Sequence, residues 1–174
     1  MKKILFLFVL TIGFYSCEKY NVEDTTNVIV VIDGVRFDDI GEIEGYTKTS
    51  HMADTGTYTT AGFQKLHNTY GYPLITGKEK LSFITEGQKN RNDRQVYRLA
   101  RGESNVIVGL NDTDRRAHEG EWLKYLETMN QAAEYAILLN ADIITTDHGR
   151  HCVDWTNHGD SCECCRKLIF YIRK

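Results

Sequence analysis

The chain has 174 residues with 21 basic and 24 acidic side chains, a formal charge of −3, one proline and five cysteines. That length suits one domain with a real core, and the mild acidity excludes the broad basic face of nucleic-acid binders, so no nucleic-acid partner is expected. Charge is uneven along the chain: residues 18–54 hold nine acids and three bases, residues 78–116 nine bases and six acids.

Met1-Lys2-Lys3 supplies a short positive start, Ile4 to Tyr15 an apolar run of twelve, and Ser16-Cys17 a small residue before a cysteine. This is the layout of an export signal. Twelve residues rise about 18 Å as a helix against roughly 30 Å of bilayer hydrocarbon, too little to span comfortably. Gly13-Phe14-Tyr15-Ser16-Cys17 resembles the lipobox of bacterial lipoproteins, although Phe14 stands where leucine is usual and Tyr15 is bulky beside the cut. The resemblance covers only these residues. It implies removal of residues 1–16, acylation of Cys17, and attachment to a membrane of the cell envelope, the outer membrane being favoured, with the protein facing the periplasm or the outside. Each buried methylene of such a lipid contributes about 0.8 kcal/mol, so several chains anchor a protein without a spanning helix. Residues 17–27 then form the lipidated start and a polar tether, and 28–174 a single globular domain. Glu18, Glu23 and Asp24 resemble the acidic export tags of some surface lipoproteins.

Val28 to Ile32 is apolar and β-branched, Asp33-Gly34 is a tight-turn pair, and Val35-Arg36-Phe37 resumes an extended pattern, which predicts a β-hairpin. Residues 41–72 are rich in Gly, Thr and Tyr without a clean period and predict short strands and loops. Leu81–Thr85, Gln95–Ala100 and Asn105–Leu110 read as strands. Trp122, Leu126, Met129, Ala133 and Ile137 recur at spacings of three and four, predicting a helix over about 114–139 with Asp112, Thr113 or Asp114 as its cap. Ile143–Thr146 and Lys167–Arg173 read as the last strands. The expected class is therefore α+β: a mainly antiparallel sheet packed on one long helix, with a Cys/His-rich segment near the C-terminus.

That segment, Asp147 to Cys165, holds His148, His151 and His158 with Cys152, Cys162, Cys164 and Cys165 in nineteen residues. In an exported protein four cysteines are read first as two disulfides. A Cys164–Cys165 bridge is strained and Cys162–Cys164 closes a very small ring, which leaves Cys152–Cys164 with Cys162–Cys165 as the preferred pairing. The rival is a zinc or copper site from Cys152, His158, Cys162 and Cys165, with His148 or His151 in support, because thiolate and imidazole together suit those ions. The first reading needs no cofactor.

Other signals are read more plainly. His118-Glu119 is a charged pair near a helix start, Asn111-Asp112-Thr113-Asp114 is explained by capping better than by a calcium loop, and Lys89, Arg91 and Arg94 decorate a polar loop. His148, His151 and Asp154 around Cys152 lack any oxyanion-hole signature. Two functions follow. One is a lipid-anchored interaction module of inhibitor, immunity or accessory type that binds an envelope or extracellular protein or glycan, supported by ten tyrosines and two tryptophans. The other is a zinc- or copper-binding envelope protein, or a metal-dependent hydrolase, using residues 148–165. A pocket lined by His118, His148 and His151 would favour the second.

Overall fold

A computed structural model describes residues 28–52, 82–85, 91–159 and 162–174. The export signal, Cys17, the tether, Lys89 and most of 41–72 lie outside the described residues. In chain order the elements are β1 (Val28–Ile32), β2 (Tyr46–Met52), β3 (Ser82–Ile84), α1 (Asp93–Ala100), β4 (Val106–Leu110), α2 (Asp112–His118), α3 (Trp122–Leu138), β5 (Ile143–Thr145), α4 (Glu163–Arg166) and β6 (Lys167–Arg173).

The described strands form one six-stranded sheet in the order β2-β6-β5-β1-β4-β3. The layered arrangement of one sheet and a long helix is present, and its pairing is mixed. β5, β1, β4 and β3 run parallel, while β6 lies antiparallel to both β5 and β2. Every residue of β1 and β4 is buried. Uninterrupted apolar strands of this kind belong inside parallel sheets covered on both faces, whereas a hairpin with one wet face alternates. That is why no hairpin follows β1: Asp33-Gly34 is a turn, but Val35–Phe37 does not pair back. Instead β1 sits between β4 and β5, with Val30 opposite Val108 on one side and Ile144 on the other.

Residues 95–100 form a helix rather than the expected strand. Asn92 Oδ1 accepts from the Gln95 backbone N–H at 3.0 Å and Gln95 Oε1 accepts from Asn92 N–H at 3.1 Å, a reciprocal cap that starts α1. Val96 and Ala100, one turn apart, then bury against the sheet. The helix expected over 114–139 is two helices, because Gly120 takes φ +73° between α2 and α3 and breaks the ladder. On α3 the buried stripe is Tyr125, Met129, Ala132, Ala133 and Ala136. Trp122 and Ile137 of the predicted stripe stay partly exposed. The alanines let α3 approach the face formed by Val28, Val30, Ile32 and Ile144.

The starts of α1 and α2 are locked to each other. Buried Asp93 accepts from the backbone N–H of Asn111 at 2.8 Å and of Asp112 at 3.2 Å, while Asp112 Oδ2 accepts from Asp93 N–H at 3.1 Å. Asp112 thus caps the neighbouring helix, and this exchange fixes where α2 leaves β4. Asp93→Ala removes the acceptor of two half-buried N–H donors, so it is expected to lower the unfolding free energy by about 2 kcal/mol in urea denaturation. A change within error would show the exchange to be dispensable.

Candidate metal centre

In open sheets of this kind ligands gather beyond the carboxyl ends of the parallel strands. Each of the three central strands here is followed within a few residues by an acid. β1 runs into Asp33, β5 is followed by Thr146, Asp147 and His148, and β4 leads through Asn111 into α2, which carries Asp114 and, one turn on, His118. The loop after β5 returns His158 to the same place.

Two sets of ligand atoms result. Asp33, Asp147 and His148 bring one atom each within 4.8 Å of one another, and so do Asp114, His148 and His158. His118 Nε2 stands 3.4 Å from Asp114 Oδ2, and its ring meets the edge of His158 at 5.2 Å between centroids. The His158 ring stacks on His148 at 4.0 Å. His148 Nε2 is 3.0 Å from Asp33 Oδ1 and 3.9 Å from both Asp114 Oδ1 and Asp147 Oδ1. The two sets therefore touch.

The surroundings prepare these groups. Gly34 needs its φ of +69°, and a Cβ there would come within 2.7 Å of Asp114 Oδ1 and 2.8 Å of Arg150 Nη2. His148 Nδ1 lies 2.8 Å from the Gly149 carbonyl, which can only accept, so Nδ1 carries a proton and Nε2 is the atom turned to the acids. Asp33 Oδ1 is buried and receives no aligned hydrogen bond among the described residues. Asp147 Oδ1 accepts from its own loop, from His148 N–H at 2.9 Å and Gly34 N–H at 3.3 Å. Fully buried Arg150 donates to the carbonyls of Gly34, Asp114 and Trp155 and to the Asp114 carboxylate. Trp155 in turn packs on Trp122 and Tyr125 of α3, pinning the loop that carries His158.

Burial and the neighbouring Asp33 charge push the Asp147 carboxyl up to about 8. Burial works against a charged His148 ring, yet Asp33 and Asp147 overcome it and raise that imidazole to about 9. Burial and the charge on His148 lower His158. Of these groups Asp147 and His148 hold their protons more firmly than usual because each faces neighbouring carboxylate charge. The mixture of carboxylate oxygen and imidazole nitrogen is a donor set that could hold zinc, and the two sets share His148.

The segment 148–165 divides between this centre and a second cluster. Cys152 and Cys164 form a disulfide with Cα atoms 5.9 Å apart, whereas Cys162 and Cys165 are free thiols, so the second bridge of the preferred pairing is not formed. The expected metal set of Cys152, His158, Cys162 and Cys165 does not assemble. His148 and His158 face the acids, and His151 turns to Cys162 and Cys165. Burial opposes ionisation of Cys162, but hydrogen bonds from His151 and the adjoining cysteines bring its thiol down to about 7. Burial raises Cys165 to about 11. Sequence reasoning treated Asp33 as a turn residue, Asp114 as a cap and His118 as decoration. A carboxylate within a few residues of the end of each apolar strand is the available signal.

No family model, curated protein or solved structure matches the chain.

The raised values set a pH dependence. Asp147 and His148 hold their protons more firmly folded than unfolded, so without metal the folded chain binds more protons. Stability then falls with rising pH, for Asp147 from about 4 through about 8 and for His148 from about 6.5 through about 9. In chelator, thermal unfolding is expected to show Tm declining from about pH 5 to about pH 9, with a shallower decline in Asp147→Asn. Equal slopes in the two proteins would contradict the assignment.

Proposed function

We propose that the chain is a zinc-dependent hydrolase of the bacterial cell envelope that cleaves phosphate esters, held to its membrane by lipid on Cys17. The observation that carries this reading is the convergence of Asp33, Asp147 and His148 with Asp114, His118 and His158 at the carboxyl edge of the parallel strands. Between the two expectations, interaction module or metal-dependent enzyme, this concentration of ligands favours the enzyme. His118 and His148 join through His158 rather than through His151.

Two adjacent divalent ions activate a water near neutral pH and stabilise both the attacking and the leaving oxygen of an in-line displacement, the demand a phosphate ester makes. The protein's part is positional. Asp33 and Asp147, at the ends of two neighbouring strands, would hold one ion, and His148, fixed by the Gly149 carbonyl, would complete that set. Asp114 and His118, four residues apart on one face of α2, would hold the other ion together with His158, whose ring meets that of His118. Arg150 holds Asp114 in place through Oδ1, while Oδ2 faces His118. Buried walls lower the local dielectric and strengthen each of these interactions.

The lipobox supports the envelope location, where zinc is a usable cofactor for an exported protein. The test is hydrolysis of p-nitrophenyl phosphate and bis(p-nitrophenyl) phosphate by the full chain. Turnover is expected to vanish in chelator, to return with zinc, and to fall by about 10²-fold or more in Asp33→Asn and in His158→Gln while circular dichroism stays unchanged. Zinc held through Asp33 and Asp147 without cleavage of either ester would remove the phosphoesterase reading. Hydrolysis indifferent to chelator would remove the metal.

A further inference from the structure

The three side chains left over by the acidic centre and the disulfide converge on their own. Cys162 precedes α4 and Cys165 lies within it, three residues apart, so both sulfurs face one side of the same helical turn. Cys164, between them, is turned away and bound to Cys152. On the shared side His151 completes the group: Cys165 Sγ lies 3.6 Å from His151 Nδ1, and one atom each of His151, Cys162 and Cys165 falls within 4.8 Å of the others. We propose that His151, Cys162 and Cys165 form a second, sulfur-rich zinc site, separate from the acidic centre.

Three observations support it. The donor set, two thiols and an imidazole, matches the preference of zinc for soft sulfur with nitrogen, and three protein ligands leave a fourth position for water. The backbone N–H of Gly159 donates to Cys165 Sγ at 3.3 Å, which orients and stabilises a ligating sulfur from outside the coordination shell. Finally, the backbone is built for close approach. Gly149 N–H donates to the Cys165 carbonyl at 2.7 Å, and a Cβ on Gly149 would collide with the Cys164 carbonyl. Another group of three, Cys152, Cys162 and Cys164, also lies close, but two of its sulfurs are spent on the disulfide.

The site acts as a clasp. Gly159, which donates to Cys165, directly follows His158, and a Cβ on Gly159 would lie 3.5 Å from His151 Nε2. A zinc ion on His151, Cys162 and Cys165 therefore closes the two ends of the loop 149–159 at the point where it presents His158. The proposal does not depend on hydrolysis at the acidic centre.

Cobalt(II) reads the site directly, because only thiolate ligation gives intense near-ultraviolet sulfur-to-cobalt charge transfer. The full chain, purified from an oxidising compartment with the Cys152–Cys164 bridge verified by peptide mapping, is titrated with cobalt. Charge-transfer absorption is expected to saturate at one cobalt per chain, to persist in the Asp33→Asn/Asp147→Asn double variant, and to disappear in Cys162→Ser/Cys165→Ser. The first variant isolates this proposal from the hydrolase reading. Should the cysteine variant fail to fold, alkylation of the natural chain decides. Zinc is expected to protect Cys162 and Cys165 from iodoacetamide, and chelator to expose them. A Cys162–Cys165 bridge in the unreduced protein, cobalt binding without charge transfer, or alkylation indifferent to zinc would each overturn the site.

Discussion

Arg150 is the constraint on which the rest of the structure depends. Its guanidinium is fully buried, and its donors reach the turn after β1, the α2 backbone and carboxylate at Asp114, and the loop at Trp155. Removing one partner of a buried pair costs about 3–5 kcal/mol because it leaves an uncompensated charge, so these three segments cannot move apart independently. A planar fork is needed, since it spreads its donors over three backbone carbonyls and one carboxylate, which a lysine ammonium on a single stem cannot do. Arg150 also pairs with the Asp114 carboxylate and offsets its charge. Asp147 and His148 are raised by the charges around them, and a divalent ion at this centre, as proposed, would displace those protons on binding.

Much of the fold was legible in the sequence. The strands β4, β5 and β6, the long helix and the unusual C-terminal segment follow from apolar runs and spacing. What was misread follows from one physical point. Val28 to Ile32 and Val106 to Leu110 are apolar at nearly every position, and such strands lie inside a parallel sheet, yet Asp33-Gly34 offered a strong hairpin turn that drew the eye to antiparallel pairing. The turn is real, and its role is different: it brings Asp33 to the centre and lets Gly34 pass beneath Asp114 and Arg150. Gln95 to Ala100 has residues that suit a strand, and only the reciprocal cap between Asn92 and Gln95 reveals the helix.

The centre was less legible because its ligands come from separate parts of the chain. Asp33 and Asp147 lie more than a hundred residues apart and become neighbours only because β1 and β5 pair in parallel register. Asp114 and His118 sit one helical turn apart, a spacing shared by countless surface pairs, and their meaning depends on where β4 delivers α2. Density of cysteine and histidine in 148–165 points to one region, in which the structure separates two environments. Hard oxygen donors gather at the strand ends, and soft sulfur gathers around α4.

The separation of those environments is achieved within four consecutive residues. His148 faces the acids, Gly149 lies against the Cys164 carbonyl, Arg150 enters the core, and His151 turns to Cys165. Each side chain is committed in a different direction, so a shift at one is transmitted to the others through backbone that has no slack. At the far end of the loop His158 and Gly159 repeat the division, one toward the acids and the other toward Cys165. The sulfur cluster and the disulfide therefore do for this loop what a larger apolar core does elsewhere. The disulfide and the hydrogen bonds to Cys165 tie down a polar, histidine-bearing segment, so that part of the entropy of ordering the loop that presents His158 is met in the folded chain itself.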